Sequence, residues 1–194
     1  MTITVVLNGT SSAGKTSIAE AIRAVSPLPW QISGIDTFLA LQPDAMFALP
    51  GADAVSDGFT WSAATVDGVA CWDVVLGTKG LGFVRAVHQY WAASAAEGFN
   101  QVIDHVLLNS AMGADLTTRL APHRPLYVGV RCPFDVIDER ERQRGDRALG
   151  QGRGIGSHVH SYVPYDLEVD TSVLTSEEAA HSVLAAVDAA GLTA

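Results

Sequence analysis

Residues Gly9-Thr-Ser-Ser-Ala-Gly14-Lys15-Thr16 fit the pattern G-x-x-x-x-G-K-[ST] and stand directly behind a β-branched run, Thr2 to Leu7. A strand, a glycine-bearing loop and a helix in that order leave few folds open. Small residues let the chain curl so that successive backbone N–H groups point inward at phosphate oxygens, and the helix opening near Lys15 adds the positive end of its dipole. The expected cradle is Gly9, Ser11, Ser12, Ala13 and Gly14 with Lys15, Thr16 and Ser17. Within it, Lys15 reaches the β- and γ-phosphates of a nucleotide and the Thr16 hydroxyl holds Mg²⁺. A glycine-rich turn before a surface helix is the plainer reading. The strand–loop–helix context and the scarcity of lysine, with only Lys15 and Lys79 in the chain, favour a bound nucleotide triphosphate.

The 194 residues suffice for one α/β domain with a sizeable core and are too few for two comfortable ones, so a single domain over 1–194 is expected. A formal charge of −9 disfavours nucleic acid or an anionic membrane surface as the main partner, since both reward clustered positive charge. A small-molecule alcohol substrate fits better, and a homo-oligomer is left open. Cys71 and Cys132 are too few for a disulfide framework, no basic leader precedes the first strand, and every apolar stretch is interrupted well short of a bilayer span. The expectation is a cytoplasmic protein with reduced thiols.

Along the chain, helical spacing from Thr16 to Val25 is stopped by Pro27 and Pro29, and a short strand from Trp30 to Ile35 ends at Asp36. Residues 51–80 change in character, with Asp67-Gly68 predicting a hairpin turn between Phe59-Thr-Trp61 and Val69-Ala-Cys-Trp72. Helical spacing returns from Leu81 to Ala96, with Gly98 as its C-terminal cap. Strands are expected over Phe99–Leu108, Pro125–Arg131 and Asp166–Asp170, with a helix over Ala114–Leu120 and Pro133 in the first turn of the next. Five glycines from Gly145 to Gly156 predict a mobile stretch, and Thr175 with Glu178 a capping box for a last helix to about Ala190. Strands alternating with helices imply a mostly parallel sheet covered on both faces, a three-layer α/β fold.

In open α/β sheets the ligand crevice lies outside the carboxyl ends of the strands, which puts Asp36 beside the phosphate loop. A carboxylate there can take the proton of an attacking hydroxyl during phosphoryl transfer, or it can cap the helix that begins at Thr37. Asp104 ends an apolar run, where an acid orients Mg²⁺ through water or simply faces solvent; His105 reads as a core or rim histidine. Arg140, Arg144 and Arg147 fall within about 40° of one another on a helix. They form either one face of an ordinary charged helix or an arginine-bearing lid, about 140–160, that supplies cations to the transferring group.

Several segments together resemble chloramphenicol phosphotransferase and its relatives among the P-loop kinases. They are Leu7 to Thr16, Gly34-Ile-Asp36 with Leu41-Gln-Pro43, Val102-Ile-Asp104, Val128-Gly-Val-Arg131-Cys, Arg140 through Arg144-Gly-Asp-Arg147, and Tyr165-Asp-Leu-Glu-Val-Asp170-Thr. The resemblance implies an ATP-dependent kinase that phosphorylates a hydroxyl of chloramphenicol and so inactivates the drug. It also implies that Asp36 matches the catalytic base and that the Arg140 to Arg147 region matches the lid. The chain departs from the family in having His105 where a second acid is expected, and in residues 51–80, which carry Trp61 and Trp72 and should help form the acceptor pocket. A kinase of another antibiotic or metabolite is the first alternative. A nucleotide-binding regulatory protein is the second.

Overall fold

The computed structural model describes residues 2–52, 54–145 and 148–192. β1 (Thr4–Asn8) is buried along its whole length and feeds, through the glycine-bearing loop, into α1 (Lys15–Val25). β2 (Gln31–Gly34) passes directly into the short α2 (Ile35–Leu39). β3 (Phe47–Ala48), β4 (Phe59–Val66) and β5 (Val69–Leu76) form a separate three-stranded sheet. Then come α3 (Thr78–Ala96), β6 (Gln101–His105), α4 (Ser110–Leu120), β7 (Leu126–Arg131), α5 (Phe134–Arg144), α6 (Gln151–Gly156), β8 (Leu167–Asp170) and α7 (Ser176–Ala189).

The main sheet is parallel, in the order β2-β6-β1-β7-β8. Its central strands are apolar on both faces because helices cover both. On one face Val5, Leu7 and Val128 pack with Ile18 and Ile22 of α1 and Val183 of α7. On the other, Val6 and Ile103 pack with Val87 and Trp91 of α3, Leu116 of α4, and Phe59 and Val74 of the hairpin. This is the expected three-layer arrangement, and its register sets Asp104 beside Leu7 on β1 and Gly34 on β2.

Local signals hold where they rest on backbone requirements. Asp67 (φ 52°) and Gly68 (φ 76°) both adopt the left-handed conformation a tight hairpin turn needs, and Thr175 and Glu178 exchange the two hydrogen bonds of a capping box. Boundaries move where tertiary pairing decides: the strand expected over Phe99–Leu108 shortens to Gln101–His105, and Pro133 is the N-cap of α5, just outside its first turn. The glycine-rich stretch differs more. Instead of a mobile stretch throughout, residues Gln151–Gly156 form α6, with Gly152, Arg153, Gly154 and Ile155 buried. Its glycines are needed for close approach: a Cβ on Gly154 would overlap the Trp72 carbonyl oxygen, and one on Gly156 would lie 2.7 Å from the Phe134 ring.

Candidate active site

The loop between β1 and α1 turns twice through left-handed backbone, at Ser12 (φ 60°) and at Gly14 (φ 93°), which caps α1. It passes close over β7: a Cβ on Gly9 would lie 2.5 Å from the Val130 carbonyl oxygen. Lys15 Nζ, on a side chain only 7% exposed, donates to the Thr10 carbonyl oxygen at 2.9 Å and lies 3.4 Å from Asp104 Oδ1. The next residue, Thr16, donates from its hydroxyl to Asp104 Oδ2 at 2.6 Å. The parallel register of β1 and β6 therefore brings together the two residues that end the motif and the acid from the far strand.

These groups open into a cleft of about 1020 Å³ at the carboxyl ends of the strands. Ser11, Ser12, Gly14, Lys15, Thr16 and Ser17 line it, with Asp36, Asp104, Arg140 and Arg144. Gly9 and Ala13 do not; Ala13 is fully buried in the core beneath the loop. Asp36 is in the first turn of α2, and the cap position there belongs to Gly34, whose N–H donates to Thr37 Oγ1 at 3.3 Å. The cap position is therefore not that of Asp36, which lines the cleft.

Arg140 reaches the phosphate loop from α5. Its guanidinium donates to the Ser12 carbonyl oxygen (3.3 Å), to Thr171 Oγ1 (3.0 Å) and to the Thr171 carbonyl oxygen (2.7 Å). Thr171 Oγ1 in turn donates to the Ala13 carbonyl oxygen at 2.8 Å, so the segment after β8 is tied to the loop. Sequence reasoning missed Thr171, although it sits directly behind the last strand, where α/β ligand sites gather. Arg147 lies outside the described residues. From the other side, Thr10 Oγ1 donates to the Gly152 carbonyl oxygen at 2.6 Å. Trp61 Nε1 donates to Gln151 Oε1 at 3.0 Å, and the Trp72 N–H to the Gly150 carbonyl oxygen at 3.4 Å. The tryptophans of residues 51–80 thus hold the hairpin onto α6.

His105 is fully buried, and its Nε2 meets His88 Nε2 at 2.9 Å, while His88 Nδ1 meets Asp115 Oδ2 at 2.8 Å and Arg119 Nε donates to the same carboxylate at 2.9 Å. Burial pushes His88 down to about 4 against the pull of Asp115, and burial together with His88 and Lys15 holds His105 well below the ordinary histidine range. Both rings are therefore neutral. With Asp115 ionised, His88 Nδ1 carries its proton and His88 Nε2 accepts from His105, so His105 Nδ1 offers only a lone pair; it has no partner among the described residues. No cluster of three or more His, Cys, Asp or Glu side chains among the described residues could hold a metal. The Thr16 and Asp104 oxygens are a hard donor pair of the kind that suits Mg²⁺, which draws most of its ligands from water and phosphate.

No described helix is long and apolar enough to cross a membrane, and both cysteines are free thiols. A family model described as chloramphenicol phosphotransferase-like protein matches residues 2–188. A candidate O-phosphotransferase of Mycobacterium tuberculosis is 33% identical over 184 residues, covering 92% of this chain and 79% of that protein. Among solved structures, an unliganded sugar kinase from Janibacter sp. superposes with a TM-score of 0.65 at 17% identity, covering 97% of this chain and 95% of that one. The Mycobacterium tuberculosis APS kinase in complex with AMPPNP and APS gives 0.60 at 15% identity (96% and 98%), and a tunicamycin resistance protein from Deinococcus radiodurans gives 0.59 at 16% (100% and 98%). These likenesses are of fold.

Proposed function

Since this chain belongs to the chloramphenicol phosphotransferase-like family, we propose that it transfers the γ-phosphoryl group of ATP to a hydroxyl of a small molecule, with chloramphenicol the first candidate acceptor. The observation that carries the reading is the junction of Lys15, Thr16 and Asp104 at the mouth of a cleft that Asp36 shares. In this reading the N–H groups of residues 11–16 and Lys15 hold the phosphates. Mg²⁺, held at Thr16 and Asp104, would neutralise charge on the bridging phosphate oxygens. Asp36 accepts the proton of the acceptor hydroxyl as its oxygen bonds to phosphorus and the bond to the ADP oxygen breaks. Arg144 and Arg147 stabilise the charge on the transferring group, and Arg140 shapes the nucleotide side of the cleft.

The test is mass spectrometry of chloramphenicol, tunicamycin, sugars and other alcohols incubated with protein, ATP and Mg²⁺. A product carrying one added phosphoryl group is expected, and its identity names the acceptor. Asp36→Asn should lower the transfer rate by about 10²–10⁴ while ATP binding persists, the usual contribution of a general base. Full activity in that variant overturns the assignment. Phosphate release that no acceptor alters would favour the nucleotide-driven regulatory protein.

A further inference from the structure

Glu141, on α5, is fully buried and takes no part in the chemistry above. Its Oε2 accepts the Gly150 N–H at 2.8 Å and its Oε1 the Gly152 N–H at 2.6 Å, so one carboxyl group receives the N–H groups of the cap and of the second residue of α6, while the Gln151 N–H between them goes to the Ala148 carbonyl oxygen. Those groups have no partner inside the helix, so the carboxyl oxygens satisfy donors that α6 itself leaves open. The same Gly152 gives its carbonyl oxygen to the Thr10 hydroxyl in the phosphate loop. A Cβ on Gly152 would lie 2.9 Å from Glu141 Oε1 and 3.0 Å from the Ser11 carbonyl oxygen, so the three segments meet at a point with no space to spare. On its far side α6 receives the hairpin, through Gln151 with Trp61, Gly150 with Trp72, and the close pass of Gly154 over the Trp72 carbonyl.

From this junction we infer that Glu141 is a positioning residue for phosphoryl transfer: it fixes α6 so that Thr10 holds the phosphate loop in register with the β4–β5 hairpin. The inference rests on the reading of the cleft as a kinase site. Glu141 does not line the cleft. Its carboxylate sets α6, α6 sets Thr10, and Thr10 sets the curvature of the loop whose N–H groups face the phosphates. The same helix stands between the phosphate loop, which it meets at Thr10, and the hairpin, which it meets at Trp61 and Trp72. A buried carboxyl group is costly unless hydrogen-bonded, and here both of its oxygens accept backbone N–H groups.

The experiment uses Thr10→Val and Thr10→Ser beside Glu141→Gln, because the last could fail to fold. Thermal unfolding first establishes which variants are native. In Thr10→Val, kcat for transfer should fall about tenfold, the scale of one lost hydrogen bond. KM for ATP should change less than about threefold. Thr10→Ser, which keeps the hydroxyl, should restore wild-type values. A folded Glu141→Gln should behave as Thr10→Val does. Equal kinetics in Thr10→Val and wild type, or equal impairment of the Val and Ser variants, overturns the inference. A second arm needs no acceptor: a nonhydrolysable ATP analogue should slow amide exchange over residues 150–156 in wild type and not in Thr10→Val. Failure of the kinase reading shows as an absence of any phosphorylated product, whereas failure of this inference shows as analogue-independent exchange.

Discussion

Lys15 gives its ammonium to two acceptors inside the protein, the Thr10 carbonyl oxygen and Asp104. The amine is thus oriented before any phosphate arrives. Lys15→Ala should leave the fold intact and lower phosphoryl transfer by about 10²–10³, the range for removing one preorganised electrostatic group. Circular dichroism and steady-state kinetics check both halves, and near-normal turnover in a folded variant removes Lys15 from the mechanism. The place of this residue in the cleft was legible because it belongs to a contiguous motif, and that of Asp104 because an acid at the end of an apolar strand stands out. Thr171 and Glu141 were not. Thr171 contacts Ala13 only because β8 is assembled beside β7, and Glu141 looks like one more charge in the run Asp138-Glu-Arg-Glu-Arg until α6 folds back to cover it.

At the scale of elements, glycine misled and informed in turn. Asp67-Gly68 announced a hairpin because the turn demands positive φ, a local property. Gly152, Gly154 and Gly156 suggested mobility, yet they let α6 lie against the phosphate loop, β5 and α5, a requirement visible only once those elements are in place. Two matched substitutions separate these uses. Gly154→Ala should destabilise the protein by about 1–3 kcal/mol, since the obstructing atom is a backbone carbonyl that cannot swing aside. Gly82→Ala, on the exposed face of α3 with nothing within 4 Å of the added Cβ, should stabilise it by about 0.5–1 kcal/mol through helix propensity alone. Urea unfolding of both variants measures the signs, and equal signs would contradict this account.

For the whole molecule, the buried chain from α4 through α3 to β6 makes stability depend on pH. His88 and His105 are neutral in the fold but titrate at an ordinary value once unfolded, so below that value the unfolded state binds more protons. Stability should therefore fall as pH drops from about 6.5 to about 4, with His88 alone accounting for on the order of 3 kcal/mol. Asp115 adds to the loss at the acid end: burial opposes its ionisation, but the bonds from His88 and Arg119 bring it below its ordinary value. Urea midpoints measured from pH 7.5 to 4.5 should show this slope, and His88→Asn should flatten it. A flat wild-type profile would mean the histidines are hydrated in solution. The layers and sheet of the fold were readable from alternating apolar runs, whereas this chain of rings was not, because it joins residues from three elements whose facing is set only by packing.

Of the five strands of the main sheet, the first in chain order is the middle one in space. Residues 4–8 pair with β6 and β7, whose partners begin at Gln101 and Leu126. During synthesis Val5, Val6 and Leu7 must therefore wait for roughly a hundred further residues before either edge of their backbone is bonded. Such long-range closure slows folding and leaves an apolar strand in search of any partner. The motif therefore cannot take its final shape until β6 and β7 have both been made, and a nascent chain ending before β7 would hold the phosphate-loop sequence without the strand its Gly9 packs against.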